Sequence, residues 1–236
     1  KSKLKIYLAE ASDRLLSGMS ANASEKSGEY LAKLKVEVIT GVPVKDYDGK
    51  YVLFADGRKV RTNTLIWAAG VKANTIKGLI PAVYTRGNRI KVDRFNKVEG
   101  YDDIYAIGDL ALMEEPHYPN GHPQLATVAI QQARHLAANL KKQIQGTAPE
   151  PFAYKHLGSM ATVGRNLAVA DLKVLRLHGF TAWLFWMFVH LMSIVGVKNR
   201  LLIFINWVWN YLTYDQSLRL IIKPKNEVPA PKKDLL

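Results

Sequence analysis

The chain of 236 residues contains no cysteine. A disulfide framework and a thiolate metal site are therefore excluded, and the absence is typical of proteins in a reducing compartment. The loop at residues 114–122 carries two histidines, His117 and His122, but no partners with metal-ligand spacing. We interpret both as ordinary loop residues and expect no metal site.

Any Gly-x-Gly triplet is also missing. In a dinucleotide-binding fold the glycine-rich loop lies about 20 residues before an acidic residue that binds the ribose hydroxyls. The alternating segment Lys3–Glu10 predicts a strand that closes on an acid, Glu10. Its glycine-rich loop would fall before residue 1, so we expect the sequence to be the C-terminal piece of a longer protein. A solvated strand end is the alternative role of Glu10.

Acidic residues are few: 20 Asp and Glu stand against 33 Lys and Arg, which gives a net charge of +13. Such a charge favours an anionic partner, either nucleic acid or an acidic lipid surface. The basic residues are spread along the chain, and no basic block interleaved with aromatics indicates a nucleic-acid groove. We therefore expect no nucleic-acid partner.

The chain has no clean apolar run of the about 20 residues that crossing a bilayer takes. Phe180–Val195 is uncharged but too short, and Leu201–Ile222 is interrupted by one polar stripe at helical spacing: Asn206, Asn210, Thr213 and Ser217. Aromatic residues on the remaining surface and cations at the ends are typical of helices that lie in the membrane interface. Helices buried in a core are the alternative, and Pro224–Leu236 is expected to be a mobile tail.

The stretch Asp102–Asp109 holds the most informative pattern. Ile104–Ile107 predicts a short buried strand, and Gly108 after it lets a ligand approach the backbone. Asp109 then places a carboxylate at the carboxyl end of the strand, where open α/β sheets bind nucleotides. A turn aspartate with no ligand is the alternative.

Residues 20–35 predict a helix capped at Ser20 or Asn22. Asp48-Gly49 predicts a hairpin turn between strands Val42–Tyr47 and Tyr51–Phe54, and Asp56-Gly57 a second turn before Val60.

Two further strands and one long helix are expected after residue 64. The strands are Leu65–Ala69, which should be buried, and Arg89–Asp93. A long amphipathic helix should begin at Pro123 and stop at Gly146.

These segments together resemble the type II NADH:quinone oxidoreductases. Asp102–Asp109 is similar to the second flavin-binding motif of flavoproteins with two dinucleotide-binding domains. Thr64–Val71 before it and Gln124–Gly146 after it occur in that order and spacing in the family. Gly158–Arg165 follows the family pattern G-S/N-M-A-T-I/V-G-R, and the resemblance covers nearly the whole chain.

The resemblance implies FAD and NAD as cofactors. Asp109, reached through Gly108, would hydrogen-bond the ribitol of FAD. Ala126 and Thr127 lie in the first turns of the long helix, whose N-terminus carries about half a positive charge. That charge would stabilise the anionic end of reduced flavin.

The NADH side of the resemblance involves three residues. Glu10 would bind the adenosine ribose and exclude a 2′-phosphate, which favours NADH over NADPH. Arg14, four residues later, could weaken that preference. Ala69 and Gly70 would line the passage between NADH and flavin, with a core strand and turn as the alternative for Ala69.

The quinone side begins at the same helix. The family writes its start as A-Q-x-A-x-Q, and here Thr127 replaces the first glutamine, which leaves the quinone contact at that position open. Ala129 and Gln131 match the family pattern, and Lys155 would also lie near the quinone. An amphipathic helix with a polar edge and a solvated lysine are the alternatives.

The expected fold is therefore α/β, the C-terminal portion of a Rossmann-like flavoprotein with two dinucleotide-binding domains, ending in amphipathic membrane-anchoring helices. We predict part of an NADH-binding domain at residues 1–80, the returning part of an FAD-binding domain at 81–150, and a membrane-anchoring segment at 151–236.

The parent enzyme would pass hydride from NADH to flavin and two electrons to a membrane quinone, without a catalytic nucleophile because the cofactor does the chemistry. We expect a peripheral protein on the cytoplasmic face of the inner membrane, with the lipid surface as a partner and a homodimer as a further possibility. A non-catalytic membrane-docked module and a soluble FAD/NAD(P)H reductase with another acceptor are the alternatives.

Overall fold

The computed structural model of the chain describes residues 4–74 and 76–214. Four α-helices and ten β-strands lie within these residues. In chain order they are β1 (Ile6–Glu10), α1 (Ala21–Lys33), β2 (Val36–Thr40), β3 (Val44–Tyr47), β4 (Tyr51–Phe54), β5 (Lys59–Arg61), β6 (Ile90–Val92), β7 (Ala111–Met113), α2 (Ala126–Ile144), β8 (Ser159–Gly164), β9 (Leu167–Asp171), β10 (Arg176–His178), α3 (Gly179–Ser193) and α4 (Val197–Thr213). Short 3-10 turns occur at Pro81–Val83, Arg86–Asn88 and Gly108–Leu110.

The first unit is a parallel pair of strands joined by a helix. β1 and β2 lie side by side with Glu10 opposite Thr40, and α1 makes the crossover that a parallel pair requires. The Ser20 hydroxyl accepts a hydrogen bond from the Ala23 N–H at 3.2 Å and so caps α1. The predicted helix start at Ser20 is confirmed.

The hairpin predicted at Asp48-Gly49 is also confirmed. β3 and β4 are antiparallel, and β5 continues the sheet after the turn at Asp56-Gly57. Asp48 Oδ1 accepts the N–H groups of Lys50 and Tyr51 at 2.8 and 2.6 Å. The turn is therefore held by the side chain whose presence predicted it.

The largest apolar core surrounds the parallel pair β6 and β7. Its buried members are Val83, Ile90, Val92, Val98, Ala106, Ala111, Met113 and Phe152. The strand predicted at Arg89–Asp93 is confirmed as β6, and α2 stops at the predicted Gly146, where the backbone φ is +69°.

The C-terminal strands form an antiparallel sheet in the order β10-β9-β8. Alternation along β9 turns Ala168 and Ala170 towards α3, and Val169 towards α1. The small side chains let α3 approach closely, because Ala182 on the helix is buried against them. Contacts therefore run from the N-terminal helix to the C-terminal sheet, and the division at residues 80 and 150 stays a prediction.

One side-chain pair fixes this contact. Ser20 donates its backbone N–H to Asp171 Oδ2 at 2.7 Å and its hydroxyl to Asp171 Oδ1 at 2.9 Å. Hydrogen bonds to a charged carboxylate contribute about 1.5–3 kcal/mol. The residue that caps α1 thus also ties α1 to the end of β9.

The buried strand predicted at Leu65–Ala69 is wrong. This segment has no regular secondary structure, and Ile66 and Trp67 are 84% and 63% exposed. An extended segment becomes a strand only when a neighbour takes its backbone hydrogen bonds. No strand of the described ranges 4–74 and 76–214 pairs with it.

The strand predicted at Ile104–Ile107 is wrong as well. Its backbone bonds to a turn, because Val98 donates to Ile104 C=O at 2.8 Å and Ala106 donates to Asn96 C=O at 3.0 Å. Ala106 is buried, whereas the two isoleucines are more than a third exposed. The stretch is a short bridged loop that leads into the turn at Gly108.

The start of the long helix also differs from the prediction. Leu125 is extended, with φ −128° and ψ 143°, so α2 begins at Ala126 and not at Pro123. Pro123 instead accepts a hydrogen bond from the Leu125 N–H within a turn. Gln124 therefore precedes the helix and does not share its face.

The two C-terminal helices form where the aromatic segments predicted them. α3 and α4 expose much of their apolar surface, including Leu201 and Leu212. None of the helices within residues 4–74 and 76–214 has both the length and the hydropathy needed to cross a bilayer. Residues 215–222 of the second predicted segment and the tail Pro224–Leu236 lie outside the described residues.

Candidate functional site

The site centres on the 3-10 turn Gly108–Leu110, called here the Gly108 turn. Gly108 has φ +69° and donates its N–H to Gln132 Oε1 at 2.7 Å. A Cβ on Gly108 would lie 3.2 Å from Ala129 Cβ, so turn and helix are nearly in backbone contact. Glycine is needed here for both the dihedral angle and the space.

Gln132 is a residue that the sequence interpretation missed. It is 1% exposed and fixes the Gly108 turn through its side-chain carbonyl. Its place four residues after the buried Val128 puts it on the core-facing side of α2. A polar residue on that side is the signal that could have identified it, since buried polar groups are hydrogen-bonded.

Asp109 lies exposed on the same turn. Its backbone carbonyl accepts a hydrogen bond from Gln124 Nε2 at 3.2 Å, but no group in the described part of the chain donates to its carboxylate. The nearby Arg89 guanidinium is occupied by the carbonyls of Ala111 and His122. Burial lowers the pKa of Arg89, and the negative charge of Asp109 opposes that shift. Asp109 therefore keeps its acceptor positions for a ligand.

The N-terminus of α2 adjoins this carboxylate. Leu125 gives it no side-chain cap, and the N–H groups of Ala126 and Thr127 have no acceptor in the described residues. The first amides of a helix lack intrahelical partners and carry a partial positive charge. Free donors and a free acceptor thus stand next to a glycine that permits close approach.

One side of α2, the α2 polar face, binds the chain segment 150–155. Gln131 Oε1 accepts the Lys155 N–H at 3.1 Å, and Gln131 Nε2 donates to the Lys155 carbonyl at 3.0 Å. Two turns further on, Asn139 repeats the arrangement with Glu150 at 3.0 and 2.8 Å. Each amide side chain thereby satisfies both backbone groups of one residue.

Two more residues complete the α2 polar face. His135 Nε2 lies 2.7 Å from the Glu150 carbonyl, and Thr127 Oγ1 lies 2.9 Å from the Tyr154 hydroxyl. The four positions are four residues apart, which stacks them on one side of the helix. Part of the predicted apolar stripe lies in solvent instead, with Ile144 88% exposed.

An aromatic cluster holds Tyr154 in place. Its ring centre lies 5.7 Å from those of Tyr118 and His122, and His122 lies 5.6 Å from Phe152. His122 is 1% exposed and its Nε2 lies 3.3 Å from Glu115 Oε1. Burial lowers the pKa of His122, and the Glu115 carboxylate opposes that shift. His122 thus lies in a loop, as predicted, but it is buried within the aromatic cluster.

Glu10 occupies the predicted position at the end of β1. Its Oε1 accepts the Ser12 N–H at 2.8 Å, and this hydrogen bond lowers the pKa of Glu10. Arg14 is directed elsewhere, because its guanidinium donates to the carbonyls of Ser17 and Met19. The carboxylate is ionised at neutral pH and is not paired with Arg14.

The predicted site residues fall into three places. Gly108, Asp109, Ala126, Thr127, Ala129, Gln131 and Lys155 come together around the start of α2. Glu10 lies at the end of β1, and Ala69 and Gly70 lie in the exposed segment without regular structure. Only the first group forms a constellation within the described residues.

Two protein-family models match the chain. Residues 1–133 match the pyridine nucleotide-disulphide oxidoreductase model, and residues 156–214 match the NDH2 C-terminal domain. The type II NADH:quinone oxidoreductase Ndh of Mycobacterium tuberculosis is 32% identical over 226 residues, covering 89% of this chain and 47% of that protein. An internal alternative NAD(P)H-ubiquinone oxidoreductase of Arabidopsis thaliana is 30% identical, covering 90% and 44%.

Solved structures agree at the level of the fold. NDH2 from Plasmodium falciparum in complex with NADH superposes with a TM-score of 0.79 at 22% identity, over 89% of this chain and 58% of that one. A sulfide:quinone oxidoreductase of Aquifex aeolicus gives 0.62 at 17% identity, over 78% and 48%. The Rossmann-like flavoprotein fold is confirmed.

The chain spans about half the length of the curated relatives that it matches. Its matches nevertheless run from residue 1 through the end of α4, across both family models. The chain therefore belongs to the pyridine nucleotide-disulphide oxidoreductases, and the predicted likeness to the type II NADH:quinone oxidoreductases is confirmed by its relatives and by the match of residues 156–214.

Proposed function

We propose that this chain is part of an FAD-dependent enzyme that transfers electrons from NADH to a membrane quinone. The observation that carries the proposal is the constellation at the Gly108 turn. It combines a carboxylate and two helix amides, which have no partner within residues 4–74 and 76–214, with a glycine in near contact with α2.

These residues fit FAD by their donor and acceptor chemistry. Asp109 offers carboxylate oxygens to hydroxyl groups, as a sugar alcohol chain requires. The amides of Ala126 and Thr127 offer donors and partial positive charge to an anionic ring edge. Gly108 lets the turn that carries Asp109 pack closely against α2. Bound FAD would accept a hydride and pass two electrons on, while the chain orients and tunes it.

Glu10 is the residue that we assign to NADH. Its carboxylate can accept the ribose hydroxyls and repels the 2′-phosphate of NADPH. Arg14, whose guanidinium is bound to the carbonyls of Ser17 and Met19, is not placed to attract that phosphate. Ala69 and Gly70 stay assigned to the passage between NADH and flavin.

The quinone head group is assigned to the first turns of α2. Ala129 lies against Gly108, and Thr127 and Gln131 lie against residues 154 and 155. The side-chain carbonyl and one N–H of Gln131 are hydrogen-bonded to Lys155, so its second amide N–H is left for an acceptor oxygen. Gln131 and Lys155 therefore form one fixed edge of the proposed quinone site.

The helices α3 and α4 are assigned to the membrane surface. Phe188, Trp209 and Leu212 are exposed, as are Lys198 and the start of α4. So large an apolar surface on a soluble monomer requires a cover. Because quinones dissolve in lipid, docking at the bilayer brings the site to its substrate. We propose the cytoplasmic face of the inner membrane.

An open cavity of about 260 Å³ lies between these helices and is lined mainly by aromatic side chains. Its lining includes Trp183, Trp186 and Trp207 together with Arg165. The Arg165 guanidinium lies 4.3 Å from the Tyr211 ring centre. Aromatic side chains with a cation beside them are enriched at the membrane–water interface.

Glycine substitutions test the flavin site. Gly108→Ala and Gly146→Ala both place a side chain at φ +69°, a strain of about 1–2 kcal/mol. Only at Gly108 does the new Cβ meet a neighbour, Ala129 Cβ at 3.2 Å, whereas at Gly146 it meets open space. We expect Gly108→Ala to lower FAD affinity about tenfold and to slow NADH-dependent reduction of a water-soluble quinone, with Gly146→Ala near wild type.

The readout is the flavin-to-protein ratio and the quinone rate of the purified protein that contains this chain. Unfolding temperatures of both variants show whether they are equally strained. A wild-type protein without flavin would favour the non-catalytic module. Flavin with NADH oxidation but no quinone reduction would favour a soluble reductase of another acceptor.

Glu10→Gln tests the assignment of the nicotinamide nucleotide. Loss of the charge removes a charged hydrogen-bond acceptor, worth about 1.5–3 kcal/mol, and the repulsion of a 2′-phosphate. We expect the ratio of kcat/KM for NADH over NADPH to fall about tenfold or more. Glu37→Gln on the adjacent strand is the control, because Glu37 pairs only with the exposed Lys5 at 3.9 Å. Equal ratios in both variants would remove Glu10 from the site.

Vesicle sedimentation tests the membrane assignment. Trp209→Glu places a charge on the exposed face of α4, and burying such a large apolar side chain is worth about 1.5–3 kcal/mol. We expect binding to anionic vesicles to fall at least tenfold. Ile144→Glu at the end of α2, an apolar site that is more exposed than Trp209, should bind like wild type.

Two results would contradict this assignment. Equal binding to neutral and anionic vesicles would remove its electrostatic part, which is about 1 kcal/mol per basic residue near the surface. A wild-type protein that stays in the supernatant as a dimer would make the α3–α4 surface a homodimer interface instead.

A further inference from the structure

Thr127 stands where the family pattern has glutamine, and its hydroxyl has a specific partner. Thr127 Oγ1 and the Tyr154 hydroxyl lie 2.9 Å apart, within hydrogen-bond distance, and either can donate. Tyr154 comes from the segment after α2, 27 residues further along the chain. The replacement of glutamine is therefore accompanied by a second hydroxyl at the same place.

The position of Tyr154 is fixed from two sides. Its ring packs edge-on against Tyr118 at 5.7 Å and against His156 at 6.1 Å. The backbone of its chain neighbour Lys155 is held by the carbonyl oxygen and the NH2 of the Gln131 side chain. The phenol is only half-buried, so water reaches it. A tyrosine held in this way keeps its hydroxyl aimed at Thr127 with little rotational freedom.

A hydroxyl pair has a capacity that a glutamine amide lacks. A hydroxyl donates one hydrogen bond while it accepts others, so a proton can enter on one side as another leaves. When Tyr154 donates to Thr127 Oγ1, the Thr127 hydrogen is free to point outward. A glutamine amide can donate to the same acceptor but does not pass on a proton at neutral pH.

We infer that Tyr154 acts through Thr127 as a proton relay to the bound quinone, an inference that rests on the proposed function. The quinone gains two electrons and one hydrogen as a hydride from reduced flavin. Its second oxygen takes the proton of the Thr127 hydroxyl, Thr127 takes that of Tyr154, and Tyr154 takes one from water. One quinone, one hydride and one proton give one quinol, so atoms and charges balance.

Tyr154→Phe tests the relay, because it keeps the ring in the cluster and removes only the hydroxyl. In the flavin-loaded protein we expect the quinone kcat to fall about tenfold or more, within the range of general acid catalysis. The rate with ferricyanide, which takes electrons without protons, should match wild type. The solvent deuterium isotope effect on quinone reduction should change with the variant.

Tyr118→Phe is the matched control, since it removes a hydroxyl from the same cluster without touching Thr127. It should leave both rates unchanged. The dissociation constant of a water-soluble quinone for the oxidised protein, followed by flavin fluorescence, should stay within about twofold in Tyr154→Phe. A relay residue alters proton delivery and leaves equilibrium binding as it was.

Substitutions at Thr127 sharpen the test. Thr127→Ser keeps a hydroxyl and should keep the quinone rate. Thr127→Gln breaks the relay, because an amide does not pass on a proton, so it should lower the quinone rate as Tyr154→Phe does, and adding Tyr154→Phe to it should have no further effect.

Two outcomes overturn the inference. An unchanged quinone rate in Tyr154→Phe would exclude the relay, and an equal loss with quinone and ferricyanide would assign Tyr154 a structural role. A wild-type protein that reduces ferricyanide but no quinone would instead contradict the proposed function.

Discussion

The pairing between the α2 polar face and the segment 150–155 is the interaction on which the site depends. No strand within residues 4–74 and 76–214 pairs with this segment. Phe152 exchanges hydrogen bonds with Arg94, and side chains of α2 bind the backbone at both ends of the segment. Gln131 and Asn139 take the place of a strand by binding both backbone groups of Lys155 and Glu150. Because they are eight residues apart on one helix, the segment must run along it. Tyr154 is thereby set against the start of the helix and beside the Gly108 turn.

This arrangement explains why polar residues occupy the inner side of α2. Gln132 and Asn139 are buried, yet each is hydrogen-bonded to backbone, so the cost of burying an amide is offset. Through these hydrogen bonds the same amide side chains define where two loops lie. A helix packed only by leucine and alanine would bury more surface and would leave both loops without a defined position. The helix α2 thus sets the positions of the residues proposed to bind flavin and quinone.

Elements set by local chemistry could be predicted from the sequence, and elements that need distant partners could not. Ser20 caps a helix and Asp48-Gly49 closes a hairpin through contacts within three residues. Leu65–Ala69 has the composition of a buried strand, but no described strand lies beside it. At the site, the residue types at Gly108, Asp109 and Thr127 could be identified by pattern. Their partners Gln132 and Tyr154 could not, because both contacts join residues more than twenty positions apart.

The central claim is that α2 holds the segment 150–155 through its amide side chains, and the exchange rate of the Lys155 backbone N–H tests it most directly. In Gln131→Leu, hydrogen exchange at Lys155 should be about tenfold faster than in wild type, since a lost hydrogen bond of about 1.4 kcal/mol corresponds to that factor. Gln143→Leu, at an exposed position four residues beyond Asn139 on the same helix, should leave that rate unchanged. Exchange at Lys155 that is equally slow in Gln131→Leu and wild type would contradict the account.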